Sequence, residues 1–304
     1  TFGHRPLHRV ALRGGKLVGV LPLMEMRSLL AGRMLVSVPY GNYGGILGDD
    51  ECVISALAEE GELLAQQRAA RVLEVRSIEA VAPGWETVDR YETFERQLPA
   101  SVAELECFLP QHARAAARQA RENVEIRHDP QQLPELWQLY SRSMRRLGSL
   151  NYPLRFFTEL QRLFGKCAWI SMAYQGRRPI AGVFSLVWGD TVTPYIQGVD
   201  ERIRVRGAVN LLYLSIMERA VSCGLRRFDF GRTRKGNVGA AAFKRNQGFR
   251  PRPLGYQRYV PPGQRAPDLA PDSARYQLAR RIWRRLPLRM TRTAGAWLAR
   301  SVAG

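Results

Sequence analysis

One arrangement of elements is spelled out twice in this chain, and that repetition narrows its folds more than any other feature. From His8 to Glu25 the sequence HRVALRGGKLVGVLPLME alternates apolar and polar residues around Gly14-Gly15, a hairpin pattern. It is followed by a strand-like RMLVSVPY (33–40), a glycine-rich loop GNYGGILG (41–48), a helical ECVISALAEEGELLAQQRA (51–69) and a strand RVLEVRS (71–77). The order returns as a hairpin CAWISMAYQGRRPIAGVFSLVWG (167–189) around Gly176, a strand TVTPYIQGV (191–199) and a loop with Arg and Gly (200–207). A helix AVNLLYLSIMERAVSCG (208–224) and a strand RRFDFGR (226–232) complete this second copy. Such a unit buries a sheet under helices, so the expected fold is a duplicated α+β sandwich. A chain of 304 residues is long enough for two cores.

Between the copies lies a stretch that reads as helical, residues 101–148. Ser101 and Glu104 have capping-box spacing at its start. In HARAAARQARE, Arg114, Arg118 and Arg121 stand at i, i+4 and i+7, so three guanidinium groups are expected on one helix face, suited to phosphate or carboxylate. Leu133, Leu136, Trp137, Tyr140, Met144 and Leu147 keep helical spacing and are expected in the core.

Net charge is concentrated at one end: −2 for residues 1–100, +3 for 101–200 and +18 for 201–304. A block of this size implies an anionic partner such as a phosphate-bearing substrate, RNA or an acidic membrane face. Nearly all of it is arginine, because Lys16, Lys166, Lys235 and Lys244 are the only lysines. No run of about 18 apolar residues is present to span a bilayer. Cys52, Cys107, Cys167 and Cys223 form no CxxC or Cys/His cluster, so no metal site is expected and the thiols read as reduced, buried and inert in a cytoplasmic protein. The chain opens on Thr1 rather than Met, as expected of a piece lacking its natural N-terminus.

His4, His8, His112 and His128 sit in terminal or exposed-looking contexts, and no Ser-His-Asp or Cys-His constellation, P-loop or GxGxxG is present. What remains is an acid at a strand end, Asp229, beside Arg232, Lys235 and Lys244, with Tyr195, Phe228 and Phe243 near by in the pattern. Fixed positive charge of this kind stabilises a developing oxyanion, which fits acyl transfer to an amine or hydroxyl. In RIRVRGAVN (202–210), Arg204 and Arg206 precede Gly207 and a helix start, where free N–H groups bind anions.

The spacing Arg204-x-x-Gly207-x-Val209 resembles the pyrophosphate-binding (Q/R)xxGx(G/A) turn of the GNAT N-acyltransferases, with Val at the last position. More broadly, LVGVLPL (17–23), VSVPYGNYGGIL (36–47), ARAAARQARE (113–122), LGSLNYPLRFF (147–157), NLLYLSIMERAVSCG (210–224), FDFGRTRKGN (228–237) and FKRNQGFRPRPLGY (243–256) resemble the FemAB-related family of tandem GNAT-like acyltransferases. The likeness is to its branch associated with bacterial PEP-CTERM/exosortase systems and exopolysaccharide loci, and covers roughly residues 1–290. It implies two GNAT-like halves and an acyl-CoA or aminoacyl-tRNA donor, with tRNA as a partner and a sugar-linked envelope or exopolysaccharide precursor as acceptor. By the same resemblance Lys244, in the Phe-Lys pair of the second half, supports the transferred carbonyl, whereas Gln247 stands where this branch has Trp.

The expected domains are residues 1–97, residues 98–260 with the helical insert 101–148, and 261–304 as a Pro-rich linker with a basic amphipathic helix. That helix either docks on the protein or lies against an anionic inner membrane. Lys244 and Arg232 are expected to stabilise the oxyanion, with Asp229 orienting one of them. Arg204, Arg206, Gly207 and Asn210 are expected to hold the donor's phosphates. Asn42, Tyr43, Tyr195, Arg114, Arg118 and Arg121 are expected on the substrate side. A second reading is a non-catalytic RNA- or membrane-surface adaptor with the same fold.

Overall fold

Gly14 and Gly15 both have positive φ (56° and 80°), the twist-compatible hairpin turn, and they fold strand Arg9–Arg13 back on Lys16–Leu21. In the computed structural model the described residues are 1–28, 31–202, 205–267 and 274–302, without the side chains of Glu106 and residues 274–276. They form two compact units. One comprises Phe2–Glu92, Pro253–Gln277 and Ala296–Gly304; the other comprises Thr93–Arg252 and Leu278–Gly295, with Thr1.

The first unit holds a six-stranded sheet in the order Arg5–Pro6, Met24–Ser28, Gly32–Val36, Val72–Arg76, Tyr256–Tyr259, Glu86–Thr87. Helix Glu51–Gln67 crosses over between the parallel strands Gly32–Val36 and Val72–Arg76. It starts at Asp50, whose carboxylate accepts from the Val53 N–H at 2.9 Å. Val53, Leu57, Leu64 and Ala65 of the helix meet Leu21, Leu35 and Leu73 in the core. The sequence pattern misses strand Met24–Ser28. Pro22 has no N–H to continue the ladder. The chain therefore leaves the three-stranded sheet of Arg9–Arg13, Lys16–Leu21 and Leu47–Gly48 and enters the six-stranded one.

In the second unit the sheet order is Glu95–Gln97, Arg227–Asp229, Thr191–Val199, Arg178–Trp188, Ala168–Gln175, Glu125–Arg127. Side chains alternate along Ala168–Gln175, so Trp169 and Ala173 enter one core with helices Gln111–Arg121 and Ala208–Ser222. Ile170, Met172 and Tyr174 enter another with helices Leu133–Leu147 and Leu154–Phe164. The helices between the two copies are thus the layers that cover this sheet, rather than an appendage. Ser101 and Glu104 bond through their side chains at 2.7 Å, and the helix itself begins only at Leu105. Strand Glu95–Gln97 pairs with Arg227–Asp229 in the second unit, and Tyr256–Tyr259 pairs with Val72–Arg76 in the first. The units change over between Glu92 and Thr93 and between Arg252 and Pro253, and the segment after residue 260 is divided between them.

All four cysteines are free and exposed, against the expectation of buried thiols. His128 also differs from its sequence reading, because its ring is held on both sides. Nδ1 lies 2.8 Å from Ser171 Oγ and Nε2 lies 2.9 Å from Ser215 Oγ, tying strand Ala168–Gln175 to helix Ala208–Ser222. Burial, with the charge of Arg219 second, pushes its pKa from 6.5 down to about 4. The folded protein therefore keeps this ring neutral while the unfolded chain protonates it below about 6.5, so stability falls as pH drops through that window. Replacing His128 by Gln should flatten the loss of stability between about pH 6.5 and pH 4 in denaturant titrations, and parallel pH profiles would remove this role.

Candidate functional site

The parallel pairing of Thr191–Val199 with Arg227–Asp229 is also where the second unit's sheet opens. Strands Thr191–Val199 and Arg227–Asp229 pair only at Thr191↔Arg227 and Val192↔Phe228. Two local causes bend the longer strand away. Pro194 sits at an irregularity opposite Phe184/Ser185, where a bulge kinks a strand. Beyond it, Gly198 lies so close to helix Leu133–Leu147 that a Cβ there would meet the Tyr140 amide nitrogen at 2.4 Å. At Val199 the N–H donates to Ser143 Oγ (3.0 Å) and the carbonyl accepts from it (3.2 Å), so helix atoms take what a neighbouring strand would otherwise bond.

The crossover helix Ala208–Ser222 follows from this opening. Its first residue is preceded by Gly207 at φ 79°, with no side-chain cap. Glycine is required twice over here, because a Cβ would also strike the Ala116 carbonyl oxygen at 1.9 Å. Val209 and Asn210 lie in the first turn, where amides have no acceptor within their own helix. Arg206 is exposed and Asn210 half-buried. Arg204 lies outside the described residues. Ala116 belongs to helix Gln111–Arg121, whose Arg114 and Arg118 line a cleft of about 210 Å³ with Gln111 and Ala115. Arg121 departs from that group and pairs with Glu218.

The other strand of the pair ends in the FDFGRTR loop. Asp229 is buried, and its Oδ1 accepts from Thr93 Oγ1 (2.9 Å) and the Gly231 N–H (2.8 Å), the second bond closing a tight turn on Gly231 at φ 66°. Lys244, on helix Val238–Asn246 and only 8% exposed, holds the same turn from the other side. Its Nζ donates to Phe230 O (3.0 Å), Gly231 O (3.1 Å) and Thr233 Oγ1 (2.5 Å), with the Phe94 and Phe230 ring centroids 5.3 and 5.5 Å away. Arg232 is half-buried at the centre of this clamped backbone. The sequence places Asp229, Arg232 and Lys244 together, and so does the structure. Thr93, Phe94 and Thr233 complete the cluster without any sequence signal.

Tyr195 is half-buried beside Phe156, with ring centroids 6.3 Å apart. Asn42 and Tyr43 belong to the first unit, where the Asn42 carbonyl accepts from the Tyr256 hydroxyl and Tyr43 packs with Val88, Leu254 and Tyr256. Their loop closes over its own parallel strands. Buried Arg76 donates to Val38 O (3.3 Å) and Gly41 O (3.2 Å), and the Gly44 N–H donates to Arg76 O at 2.8 Å. Of the two units, the second is the one whose crossover end is left open. Among the described residues no group of three His, Cys, Asp or Glu is placed to hold a metal ion.

Residues 110–245 match the family of the acetyltransferase (GNAT) domain. The structure is similar to that of FemX, with a TM-score of 0.63 at 13% identity over 85% of this chain and 88% of that one. It is also similar to a tandem GNAT protein from the clavulanic acid biosynthesis pathway (TM-score 0.55, 13% identity, 84% and 83% covered). L-PGS from Bacillus licheniformis gives a TM-score of 0.55 at 15% identity, with 92% and 90% covered. No curated protein sequence matches the chain. The fold is α+β, with two tandem GNAT-like domains.

Two substitutions separate structure from chemistry in this site. Lys244→Met leaves two buried carbonyls and a hydroxyl without their charged donor and should cost about 2–4 kcal/mol in urea unfolding. An unchanged midpoint would show that the clamp is dispensable. Gln247 is 0% exposed and neither polar atom of its side chain has a hydrogen-bond partner among the described residues. Gln247→Met should therefore stabilise by about 1–2 kcal/mol, raising Tm, and a lowered Tm would mean that the amide is bonded after all.

Proposed function

We propose that the chain is an acyltransferase of the FemAB-related kind, transferring an acyl or aminoacyl group to an amine or hydroxyl of a sugar-linked cell-envelope or exopolysaccharide precursor. The observation that carries this reading is the parting of the strands after Val192 and Phe228 beside the uncapped helix start at Gly207. An opened strand edge takes up an extended, amide-bearing arm by β-type hydrogen bonds. The amides of Val209 and Asn210, with Arg206 and the neighbouring Arg204, take the donor's phosphates. Both acyl-CoA and aminoacyl-tRNA carry a phosphate-bearing body and an activated carbonyl, so the same residues serve either. Arg114 and Arg118, separated in sequence by the Ala116 that touches Gly207, extend the anion-binding surface toward a larger donor such as tRNA. Tyr195, in the second unit, is assigned to the acceptor.

In the transfer the acceptor's lone pair attacks the acyl carbonyl carbon, forming a C–N or C–O bond and a tetrahedral oxyanion. Collapse breaks the thioester C–S or ester C–O bond, and the acceptor's proton leaves with the departing thiol or hydroxyl. Arg232 supplies positive charge to the oxyanion. Asp229 and Lys244 hold its loop rigid, which matters because a preorganised donor needs no rearrangement as charge develops. Lys244 therefore acts in this reading mainly as a positioning residue, with its ammonium adding to the positive potential. The placement with PEP-CTERM and exopolysaccharide systems rests on the motif resemblance, and work at the cytoplasmic side on the reading of the four cysteines as reduced thiols.

Native mass spectrometry against a panel of acyl-CoAs and charged or uncharged tRNAs, followed by product assays, tests the reading. Arg232→Met should lower kcat by about 10²-fold, the scale of one lost oxyanion donor, while Arg206→Ala should raise the donor KM with little change in kcat. Full turnover in Arg232→Met would remove its role. Donor-independent RNA binding without any product would favour the adaptor reading.

A further inference from the structure

The C-terminal segment is the one strongly charged part of the chain that this chemistry leaves unused. Residues 273–304 contain eight arginines and no Asp or Glu. They form helices Ala274–Arg285 and Leu288–Ala299, parted at Pro287. One side of this segment is docked. Arg280 and Arg284 donate to the Leu147 carbonyl at 2.8 and 3.4 Å, and Trp283 Nε1 donates to Ser149 O at 3.1 Å. These bonds satisfy carbonyls at the exposed end of helix Leu133–Leu147, where cationic side chains are favoured. Further on, Arg292 lies 4.6 Å over the Trp137 ring, and a Cβ on Gly295 would meet Asn151 Oδ1 at 2.5 Å.

The other side faces outward and is both apolar and cationic. Leu278, Arg281, Ile282 and Arg285 are spaced three and four apart, so they share a face, roughly opposite that of Arg280, Trp283 and Arg284. Leu278, Ile282 and Met290 are 58%, 54% and 54% exposed, and Arg281, Arg285 and Arg289 beside them are exposed as well. Docking thus accounts for one half of the segment and leaves aliphatic side chains in water between guanidinium groups.

We propose that this outer face lies on the anionic surface of a lipid bilayer. Arginines at the headgroup level meet the surface charge while the aliphatic side chains between them enter the acyl boundary, the arrangement of an interfacial helix. Among the described residues no helix is long and apolar enough to cross a membrane, so the contact lies along the surface. Nucleic acid fits this face less well, because a phosphate backbone satisfies Arg281, Arg285 and Arg289 and offers nothing to Leu278, Ile282 and Met290. The proposal does not depend on the transfer reaction and is tested apart from it.

The full chain is sedimented with vesicles of phosphatidylcholine alone and of phosphatidylcholine with about one third phosphatidylglycerol, at low and high salt. The wild type should bind only the anionic vesicles, and less at high salt. Arg281→Gln/Arg285→Gln/Arg289→Gln should lower the partition coefficient by about 10²-fold, at roughly fivefold per arginine. Leu278→Gln/Ile282→Gln/Met290→Gln, which keeps the charge, should lower it by about tenfold or more while leaving Tm unchanged, because all three side chains are exposed. Equal binding to both vesicle types, no binding, or no effect of the aliphatic variant would overturn the proposal. So would binding of tRNA that survives the aliphatic variant while the vesicles sediment alone.

Discussion

The separation of two parallel strands governs the second unit. Once Thr191–Val199 and Arg227–Asp229 part after two residue pairs, the longer strand keeps its pairing with Arg178–Trp188 on one side only, and the crossover helix starts beside the free edge. The opening has a definite origin: Pro194 at a bulge, Gly198 against Tyr140, and Ser143 bonding both polar groups of Val199. An opening held by packing and hydrogen bonds keeps its width without a ligand, as a preorganised site requires. The loop after the shorter strand is stiffened in turn, from one side by Asp229 and from the other by Lys244.

The first unit carries the same crossover with the gap filled. Its parallel strands stay paired through Met34↔Val72, Leu35↔Leu73 and Val36↔Glu74, and the loop after them is tied down by the buried Arg76. Gly45 is packed so closely on Ser77 that a Cβ would overlap its hydroxyl. Duplication has thus produced one unit with an open crossover end and one whose equivalent end is occupied by its own chain.

Local features were legible in the sequence because they are set by neighbours a few residues away. Gly14-Gly15 and Gly176 mark the turns, and the spacing of Leu133, Leu136 and Tyr140 finds the core, although Leu147 at the end of that stripe is 39% exposed. What escaped depends on distant partners. Tyr256–Tyr259 is too short to announce that it joins a sheet begun some two hundred residues earlier, and Thr93 finds Asp229 at a separation of 136. Lys244 stood out in the sequence, in a Phe-Lys pair of a chain that writes nearly all its positive charge as arginine. Its setting was not, because the carbonyls it bonds are displayed only when Gly231 turns the loop back. His128 looked idle for the same reason: its two hydroxyl partners come from a strand and a helix far along the chain.

The account stands or falls on the open crossover end of the second unit holding the acyl donor. Amide hydrogen exchange with and without acyl-CoA or aminoacyl-tRNA reads this directly, because the amides of residues 193–199 and 207–211 report on the two sides of the gap. The account predicts donor-dependent protection in those segments, with residues 37–46 of the first unit unchanged. Protection confined to 37–46, or donor binding that leaves 193–199 and 207–211 exchanging as before, would contradict it.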